Sequence, residues 1–438
     1  MPSSFVHGRR SSRHGEADGI QGVSEPPPVV VGSGQKGADV ATATTNQGLY
    51  YDPYDRDILE DPYPVFKRLR AETPLYYNEP YDFYAVSRFA DVERSLVEKE
   101  TFRSIKGVLL EMIQADIEMP PGTLIHEEAP VHTIHRQLLS RVFTPRAMNA
   151  IEPLVRDFCT RRLDPLVGTD GFDFVSELGQ QVPMRVFGML LGIPEEDQEA
   201  VRDHVEESMR TEPGKPQTYE GGFGSAEFYE DFLDYRYEHP GDDLITRLIS
   251  TQFEDENGTV RTLTRDEALM YLNVIAGAGN HTTNRLIGWT GKVLGEHPDA
   301  RRELAENRAL IPNAIDEILR YEPSSTQIAR WVGRDVDFYG ETVPEGSALL
   351  CLVGSANRDD QVFPDGDRFD IHRKIRHHLT FGYGAHYCLG AALARLEGRV
   401  VLEEVLYRFP DWEVDYDNCR LGTSPGVRGY EALPVFIR

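Results

Sequence analysis

The sequence predicts a mainly α-helical protein with a small β-rich lobe. Apolar residues recur at helical spacing from about residue 88 onward. The stretch after Thr264 contains no proline before Pro298, as expected for one long helix. Short strand-like runs lie near the start of the folded region and again after Gly340. A content of 40% apolar and 27% charged residues is typical of a globular protein with a large core.

The folded region is expected to be one domain covering residues 49–438. Residues 1–48 are rich in Ser, Gly, Pro and Gln and lack hydrophobic periodicity, which predicts a disordered N-terminal tail. A transit peptide is an alternative for this segment, but Glu16, Asp18 and Glu25 do not fit the acid-poor pattern of such peptides.

The first elements are a short helix over residues 64–72 and a β-hairpin. Residues 75–77 and Phe83–Val86 form its strands, on either side of a loop that contains Pro80. Two amphipathic helices follow, and each should bury one face. The residues that share one helical face are Phe89, Val92, Leu96 and Val97 in the first helix and Met148, Ile151, Leu154 and Val155 in the second.

The long helix begins at Thr264, which forms a capping-box pattern with Glu267. At this length the helix would span roughly 50 Å through the centre of the domain. Its middle, residues 276–279, contains two glycines, and each glycine costs about 1 kcal/mol relative to alanine in a helix. Two explanations stay open: close approach of a flat ligand or a locally opened turn, and tight packing between helices.

After Gly340 the chain is expected to form strands and loops before a last helix. Residues 348–353 are a candidate buried strand, and residues 390–408 are a candidate helix. Hairpins are expected near the C-terminus, around Gly422, Pro425 and Gly426.

The net charge of −26 argues against binding to nucleic acid or to anionic lipid. No run of 18 apolar residues predicts a membrane span, and no apolar segment follows the N-terminal arginines as in a secretory signal. The four cysteines include no CxxC pair, so neither a zinc site nor a disulfide framework is expected. A reducing cytoplasm is therefore the expected location.

The most informative segment is residues 381–390, where a glycine-rich loop delivers Cys388 to the start of a helix. Free N–H groups and the helix dipole stabilise a thiolate at such a position. Gly384 and Gly390 would let the backbone approach a flat macrocycle. The other cysteines, Cys159, Cys351 and Cys419, are expected to be inert.

The pattern Phe381-x-x-Gly384-x-His386-x-Cys388-x-Gly390 resembles the haem-binding signature of the cytochrome P450 family, soluble bacterial type. The resemblance covers roughly residues 50–438. It implies the cytochrome P450 fold, with the long central helix over haem b and the Cys388 thiolate as axial ligand of the iron. It also implies that Phe381 belongs to the haem-binding loop and that His386 contacts a haem propionate.

Further motifs of the same family follow in its order. Glu317-Ile318-Leu319-Arg320 is similar to the ExxR helix motif, and Arg373 would complete a Glu-Arg-Arg structural network behind the haem. The remaining matches are expected to bind the propionates, for which the arginine fork is well suited: His132, Arg136 and Arg330.

On the long helix, residues 278–283 are similar to the oxygen-binding stretch of the family. The resemblance implies that Gly279 leaves room over the haem and that Thr282 hydrogen-bonds dioxygen. His281 stands where the family usually has an acid that supplies protons. Histidine shuttles protons near neutral pH, so catalytic proton delivery is expected through His281 and Thr282. The alternative is that His281 faces away and a chain of solvent delivers the proton.

The substrate pocket is expected to be mainly apolar, for a lipid, terpenoid, steroid or aromatic molecule. The loop over residues 105–125 is either a pocket roof or a segment packed on the core. The residues singled out are Val108, Leu109, Leu110, Met112 and Ile113 in this loop, Leu272 and Ile275 on the long helix, and Ser324, Ser325, Thr326, Gln327 and Ile328 after the ExxR motif.

No reductase domain follows the haem segment, so electrons are expected from a separate ferredoxin and ferredoxin reductase. Lys374, Arg376, His377 and His378 are either a basic docking site for that partner or a solvated loop. A monomer is expected.

The predicted function is monooxygenation of a hydrophobic small molecule by dioxygen. Three alternatives remain. A peroxygenase or isomerase is disfavoured by Thr282 but allowed by His281, and a haem sensor would bind gas without forming a product. A nucleotide-binding oxidoreductase would use Gly277 and Gly279, but a dinucleotide fingerprint needs a strand before its glycines, and these lie inside a helix pattern.

Overall fold

The computed structural model describes residues 48–140, 145–208, 211–212, 214–217, 226–424 and 426–438. The predicted tail lies outside these residues except for Gly48, and so do Pro425 and the side chain of Met148. The helices are α1 Arg56–Glu60, α2 Tyr63–Glu72, α3 Phe89–Val97, α4 Leu110–Gln114, α5 Val131–Ser140, α6 Pro145–Leu163, α7 Val182–Leu191, α8 Glu195–Ser208, α9 Glu230–Glu238, α10 Leu244–Ser250, α11 Arg265–Glu296, α12 Pro298–Glu306, α13 Ile311–Tyr321, α14 Val353–Ala356 and α15 Ala391–Arg408.

The strands are short, and most lie in the N-terminal part or after α13. They are β1 Leu75–Asn78, β2 Phe83–Val86, β3 Phe102–Arg103, β4 Gly171–Asp173, β5 Phe253–Glu254, β6 Val260–Arg261, β7 Ile328–Val332, β8 Val336–Phe338, β9 Glu341–Val343, β10 Ala348–Cys351, β11 Trp412–Val414, β12 Arg420–Leu421, β13 Tyr430–Ala432 and β14 Pro434–Ile437. The prediction of a mainly helical protein with little sheet is therefore confirmed.

The long helix α11 is the centre of the helical core. The capping box forms as predicted: the Thr264 hydroxyl accepts the backbone N–H of Glu267 at 3.2 Å, and the Glu267 carboxylate accepts that of Thr264 at 2.8 Å. α11 runs for 32 residues and packs against α7, α8, α13 and α15. Its buried side chains, such as Leu272 and Trp289, belong to the largest apolar cluster of the described residues. None of the described helices is long and apolar enough to cross a membrane.

The β-rich lobe is built on a five-stranded sheet with the order β1-β2-β10-β7-β3. The predicted hairpin is confirmed, since β1 and β2 pair antiparallel with Leu75 opposite Val86. β10 pairs parallel with β2 and antiparallel with β7, which places Arg330 opposite Leu349 in the middle of the sheet. The predicted strand at 348–353 is shorter in the structure, because Val353 already begins α14. β12 and β13 form the C-terminal hairpin around Gly422 and Gly426.

Two residues that share these helical faces are not buried. Val97 is the last residue of α3 and is 48% exposed, and Leu154 on α6 is 50% exposed. The buried face of α6 runs through Ile151, Val155 and Cys159. At about 100° per residue, Leu154 lies at the edge of this face rather than on it. Helical spacing alone groups Leu154 with the buried residues, but its side chain is half exposed in the structure.

Candidate active site

A cavity of about 350 Å³ lies between α11 and the loop that carries Cys388. Its walls come from α5, α7, α11, α13, β7, α15 and the loop before α15, so segments far apart in sequence meet here. Most residues selected from the sequence line this cavity: His132, Arg136, Gly279, Thr282, Arg330, Phe381, His386 and Cys388. The structure thus brings together residues that the motifs assigned to one site.

Cys388 is held by a tight loop at the base of the cavity. Its backbone N–H donates to the carbonyl of Phe381 at 2.8 Å, and Gly384 adopts a φ of +74°, which favours glycine. Burial raises the pKa of the Cys388 thiol, although the backbone N–H groups of Gly390 and Ala391 act to lower it. A bound metal ion would compensate for the burial, because a coordinating thiol is deprotonated.

The other cysteines do not reach the cavity. Cys159 and Cys351 are buried in the protein core, and burial raises the pKa of the Cys351 thiol to about 11. Cys419 is partly exposed near the C-terminal hairpin, and burial likewise raises the pKa of its thiol to about 11. All four cysteines are free thiols. Cys388 is the cysteine that combines a cavity with helix N-terminal donors.

A cluster of basic side chains faces the same cavity. Arg330 is 4% exposed, and its guanidinium donates to the carbonyl of Ala329 at 2.9 Å. Arg136 donates to the carbonyl of Tyr387. The ring of His132 lies 4.2 Å from that of His386, and no described residue satisfies the buried His132 Nε2.

This cluster is electrostatically unbalanced. Burial, together with the nearby basic groups His132, Arg330, Arg136 and His126, lowers the pKa of His386 to about 3. Burial also lowers the pKa values of the Arg136 and Arg330 guanidiniums. A buried cation needs an anionic partner, and within the described residues neither the buried Arg330 nor the partly buried Arg136 hydrogen-bonds a carboxylate. The site is therefore arranged for a ligand that brings its own negative charge.

These residues fit a haem. Cys388 offers a soft sulfur donor to iron, and the basic cluster offers partners to two propionates. The unsatisfied Nε2 of His132 is one such partner. Apolar side chains line the cavity between these polar groups and would contact the macrocycle: Leu139, Leu319, Leu389 and Leu393.

The wall opposite the cysteine loop is formed by α11. Thr282 and Thr283 line it, and the Thr282 hydroxyl donates to the carbonyl of Ala278 at 2.8 Å. A β-carbon on Gly279 would overlap the ring of Phe187 from α7, whereas one on Gly277 would meet nothing. The packing explanation therefore applies at Gly279, which receives a side chain from a packed helix and also lines the cavity.

His281 does not reach the cavity. Its ring is buried against α8, where Nε2 donates to the carbonyl of Val205 at 2.9 Å and Nδ1 lies 3.7 Å from Glu206 Oε1. Burial lowers the pKa of His281. Gly279, Thr282 and Thr283 share the cavity face of α11, and His281 lies on roughly the opposite face at about 100° per residue. The position of His281 therefore matches the alternative, in which its ring faces away from the cavity. From this position the ring would not deliver a proton directly into the cavity.

Glu317, Arg320 and Arg373 form one buried network at α13. Glu317 and Arg320 are fully buried and joined by two hydrogen bonds of 2.6 and 2.7 Å, and Arg373 Nε lies 3.2 Å from Glu317 Oε1. Arg320 also donates to the carbonyls of Asn357 and Gly366 at 2.8 Å. The network thus ties α13 to the segment that leads into the cysteine loop.

The predicted substrate wall is correct only in part. Ile275, Ser324, Ser325 and Ile328 line the cavity. Leu272 is instead fully buried in the helical core, Thr326 is buried away from the cavity, and Gln327 accepts a hydrogen bond from the Tyr51 hydroxyl. In the 105–125 loop, Leu110 and Ile113 pack under the β-lobe and Met112 is buried, so the core alternative applies to them. Only the end of this loop, Leu124 and Ile125, reaches the cavity.

The predicted basic dock is smaller than expected. Lys374 and Arg376 are exposed. His377 lies 2.8 Å from Glu93 Oε1, and His378 is buried with its Nε2 3.4 Å from Asp316 Oδ1. Both histidines are thus held by carboxylates, which leaves Lys374 and Arg376 as the exposed cations of this segment.

Some residues of the site carry no signal in the sequence. His126 and Phe187 belong to no recognised motif, and Phe187 followed an ordinary apolar pattern in a helix. His126 is 2% exposed beside the basic cluster, and Phe187 lines the cavity. Only tertiary packing reveals their positions.

The buried His126 predicts an acid-sensitive haem-free protein. Burial, with a smaller effect of Arg330, lowers the pKa of His126 to about 4. Because the unfolded state binds this proton at about pH 6.5, stability should fall between pH 6.5 and pH 4, by up to about 3 kcal/mol. Urea unfolding of the haem-free protein at several pH values measures this loss. H126Q should reduce this loss without abolishing it, because the lowered pKa of His386 acts in the same direction. An unchanged slope in H126Q would contradict the assignment.

Comparisons with known proteins identify the family of this chain. The family model described as Cytochrome P450 matches residues 226–421. The chain is 36% identical to the putative cytochrome P450 123 of Mycobacterium tuberculosis over 396 residues, covering 89% of this chain and 97% of that one. It is 32% identical to the vitamin D(3) 25-hydroxylase of Pseudonocardia autotrophica, covering 90% and 98% of the two chains.

A solved structure shows the same architecture. The structure of cytochrome P450 CYP109Q5 from Chondromyces apiculatus matches with a TM-score of 0.77 and 31% identity, covering 88% of this chain and 98% of that chain. Sequence and fold therefore agree with a cavity whose thiol and basic cluster fit iron protoporphyrin IX. The chain belongs to the cytochrome P450 family and is a haem-dependent monooxygenase that acts on small molecules.

Proposed function

We propose that this protein inserts one atom of dioxygen into a hydrophobic small molecule, with electrons from a separate ferredoxin and ferredoxin reductase. The observation that supports this most is the single cavity that joins Cys388, the basic cluster and Thr282 to an apolar wall. When bound, haem supplies the redox-active iron that activates dioxygen. The overall reaction consumes two electrons and two protons and yields an oxygenated product and one water.

The residues around the cavity are proposed to have different roles in haem binding. The Cys388 sulfur would hold the iron, and His132, Arg136, Arg330 and His386 would hold the propionates. Phe381 would contact the macrocycle, since it lines the cavity from the first position of the cysteine loop. The buried network that Arg320 forms with Glu317 and Arg373 would keep this loop in place.

The lining supports an apolar substrate with few polar groups. Ile125, Val274, Ile275 and Ile328 supply apolar walls. Ser324 and Ser325 add hydroxyls, and such isolated polar groups orient a ligand inside an apolar pocket. A lipid, terpenoid, steroid or aromatic molecule matches this lining. A relative named as a vitamin D(3) hydroxylase agrees with a bulky apolar substrate.

Electron supply is proposed to come through the exposed cations Lys374 and Arg376. On a protein with a net charge of −26, this short basic segment would orient an acidic ferredoxin. We further propose that residues 49–438 act as one domain, as a monomer in the cytoplasm. The four free thiols agree with a reducing compartment.

Proton supply is proposed to depend on the Thr282 hydroxyl, which lines the cavity from α11. His281 would contribute indirectly, by joining α11 to α8 through Val205 and Glu206. Solvent that enters the cavity would then deliver the proton at Thr282 Oγ1.

Replacement of Thr282 by alanine is therefore expected to raise the yield of hydrogen peroxide per NAD(P)H consumed several-fold. The matched control is T290A, because the Thr290 hydroxyl makes the same 2.8 Å bond to a preceding carbonyl of α11 but does not line the cavity. Peroxide and product are quantified with a reconstituted ferredoxin system and a substrate found by spin-state titration. Equal peroxide yields from T282A and T290A would remove the role of Thr282. Product formed with peroxide alone, and none with the electron-transfer proteins, would favour a peroxygenase instead.

A further inference from the structure

We propose that Phe187 is a specificity-determining residue, which limits the depth of the cavity beside Gly279 and so sets the bulk of ligand that fits next to Thr282. This inference rests on the proposed function, because it assigns a size filter to the same site. Phe187 lies on α7, is 4% exposed and lines the cavity. Among the lining residues, the other Phe and Tyr rings all belong to the cysteine loop.

The ring of Phe187 fits a gap in the surface of α11. A β-carbon on Gly279 would overlap the far edge of the ring, Cζ and both Cε atoms. The ring therefore occupies the space that any side chain at position 279 would fill. Since Gly279 and Thr282 are one helical turn apart on the same face, this edge of the ring lies beside the threonine of the oxygen-binding stretch.

The helix that carries Phe187 is fixed on several sides. A β-carbon on Gly188 would overlap the side chain of Gln198, so α7 and α8 are in close contact. At the C-terminal end of α7, Gly192 adopts a φ of +75°, and its carbonyl accepts a hydrogen bond of 2.6 Å from Arg236. Because α7 is held in this way, the ring is a rigid wall rather than a mobile lid.

A rigid ring at this point has a steric consequence. The ring closes the cavity toward α7 beside Gly279, so a bound ligand would not extend in that direction. A smaller side chain at position 187 would open this direction without removing any group that holds the haem. The effect should therefore appear as a change in size selectivity rather than as a general change in affinity.

The test uses two probes that bind haem iron through the same nitrogen but differ in bulk, imidazole and 4-phenylimidazole. Dissociation constants come from the shift of the Soret band in the wild type, F187A and F187L. The ratio of the imidazole constant to the 4-phenylimidazole constant should rise about tenfold in F187A and less in F187L. The matched control is M184A, which shortens a buried side chain of the same helix α7 that does not line the cavity, and it should leave the ratio within about twofold.

A double-mutant cycle tests the contact with Gly279. G279A alone should lower the melting temperature and weaken 4-phenylimidazole binding, because the added methyl group displaces the ring into the cavity. G279A/F187A should recover both properties, since the ring is then absent. Additive effects in this cycle, or equal ratios in F187A and M184A, would overturn the proposal.

The spectrum of the reduced, carbon monoxide-bound form separates this test from the proposed function. Each variant that shows the thiolate-type band and binds imidazole like the wild type has an intact site, so an unchanged ratio then counts against Phe187 alone. Absence of the thiolate-type band from the wild-type protein would count against the proposed function instead. F187L keeps an apolar side chain at this position and decides the case if F187A does not fold.

Discussion

Replacement of Cys388 by alanine should abolish the haem-thiolate spectrum and all monooxygenase activity. The Cys388 sulfur is the soft donor at the cavity wall, and the N–H groups of Gly390 and Ala391 act in favour of its thiolate. No other cysteine lines the cavity. The variant should therefore contain little haem, and any haem bound should lack sulfur ligation. The haem-to-protein ratio and the spectrum of the carbon monoxide complex measure both effects.

The matched controls for this variant are C351A and C159A. Both cysteines are buried outside the cavity, so their removal should cost some stability through lost packing but leave the spectrum unchanged. A thiolate-type band that persists in C388A, or is lost in C351A, would show that the iron ligand has been assigned to the wrong residue.

Replacement of Arg320 by alanine should destabilise the protein by about 3–5 kcal/mol, because it leaves the carboxylate of Glu317 buried without its main partner. Both side chains are fully buried, and the pair is joined by hydrogen bonds of 2.6 and 2.7 Å. The loss also frees the carbonyls of Asn357 and Gly366, which Arg320 holds. Urea unfolding measures the change, and haem retention should fall with it.

The control for this effect is R68A. Arg68 and Glu72 form a pair at 2.9 Å on α2 that is about half exposed, and such pairs contribute less than about 1 kcal/mol. A similarly small effect in R320A would mean that the buried network is not needed for stability. R320K should recover little, since the ammonium group cannot bind a carboxylate through two parallel hydrogen bonds.

Sequence patterns predicted the helix ends that depend on capping residues, prolines and glycines close by in the chain. The capping box at Thr264 and the absence of proline until Pro298 predicted both ends of α11 to within about two residues. The glycine-rich approach to Cys388 placed the start of α15 within one residue. Spaced motifs also selected residues that meet at one cavity, although they lie in separate parts of the chain.

Features set by long-range packing were not predictable from the sequence. Position in the family pattern suggested a proton donor at His281, but the side chain faces α8 because the cavity face of α11 is occupied by Gly279, Thr282 and Thr283. Apolar spacing could not separate Leu110, which packs under the β-lobe, from Leu124, which reaches the cavity. In each case the neighbour that decides the role lies far away in sequence.

The most direct test of the account is the absorption spectrum of the purified, dithionite-reduced protein with and without carbon monoxide. Sulfur ligation by Cys388 predicts a strongly red-shifted Soret band in the presence of the gas. A band of the ordinary histidine-ligated type, or no haem band after expression with added haem, would contradict the assignment of the cavity as a haem-thiolate site.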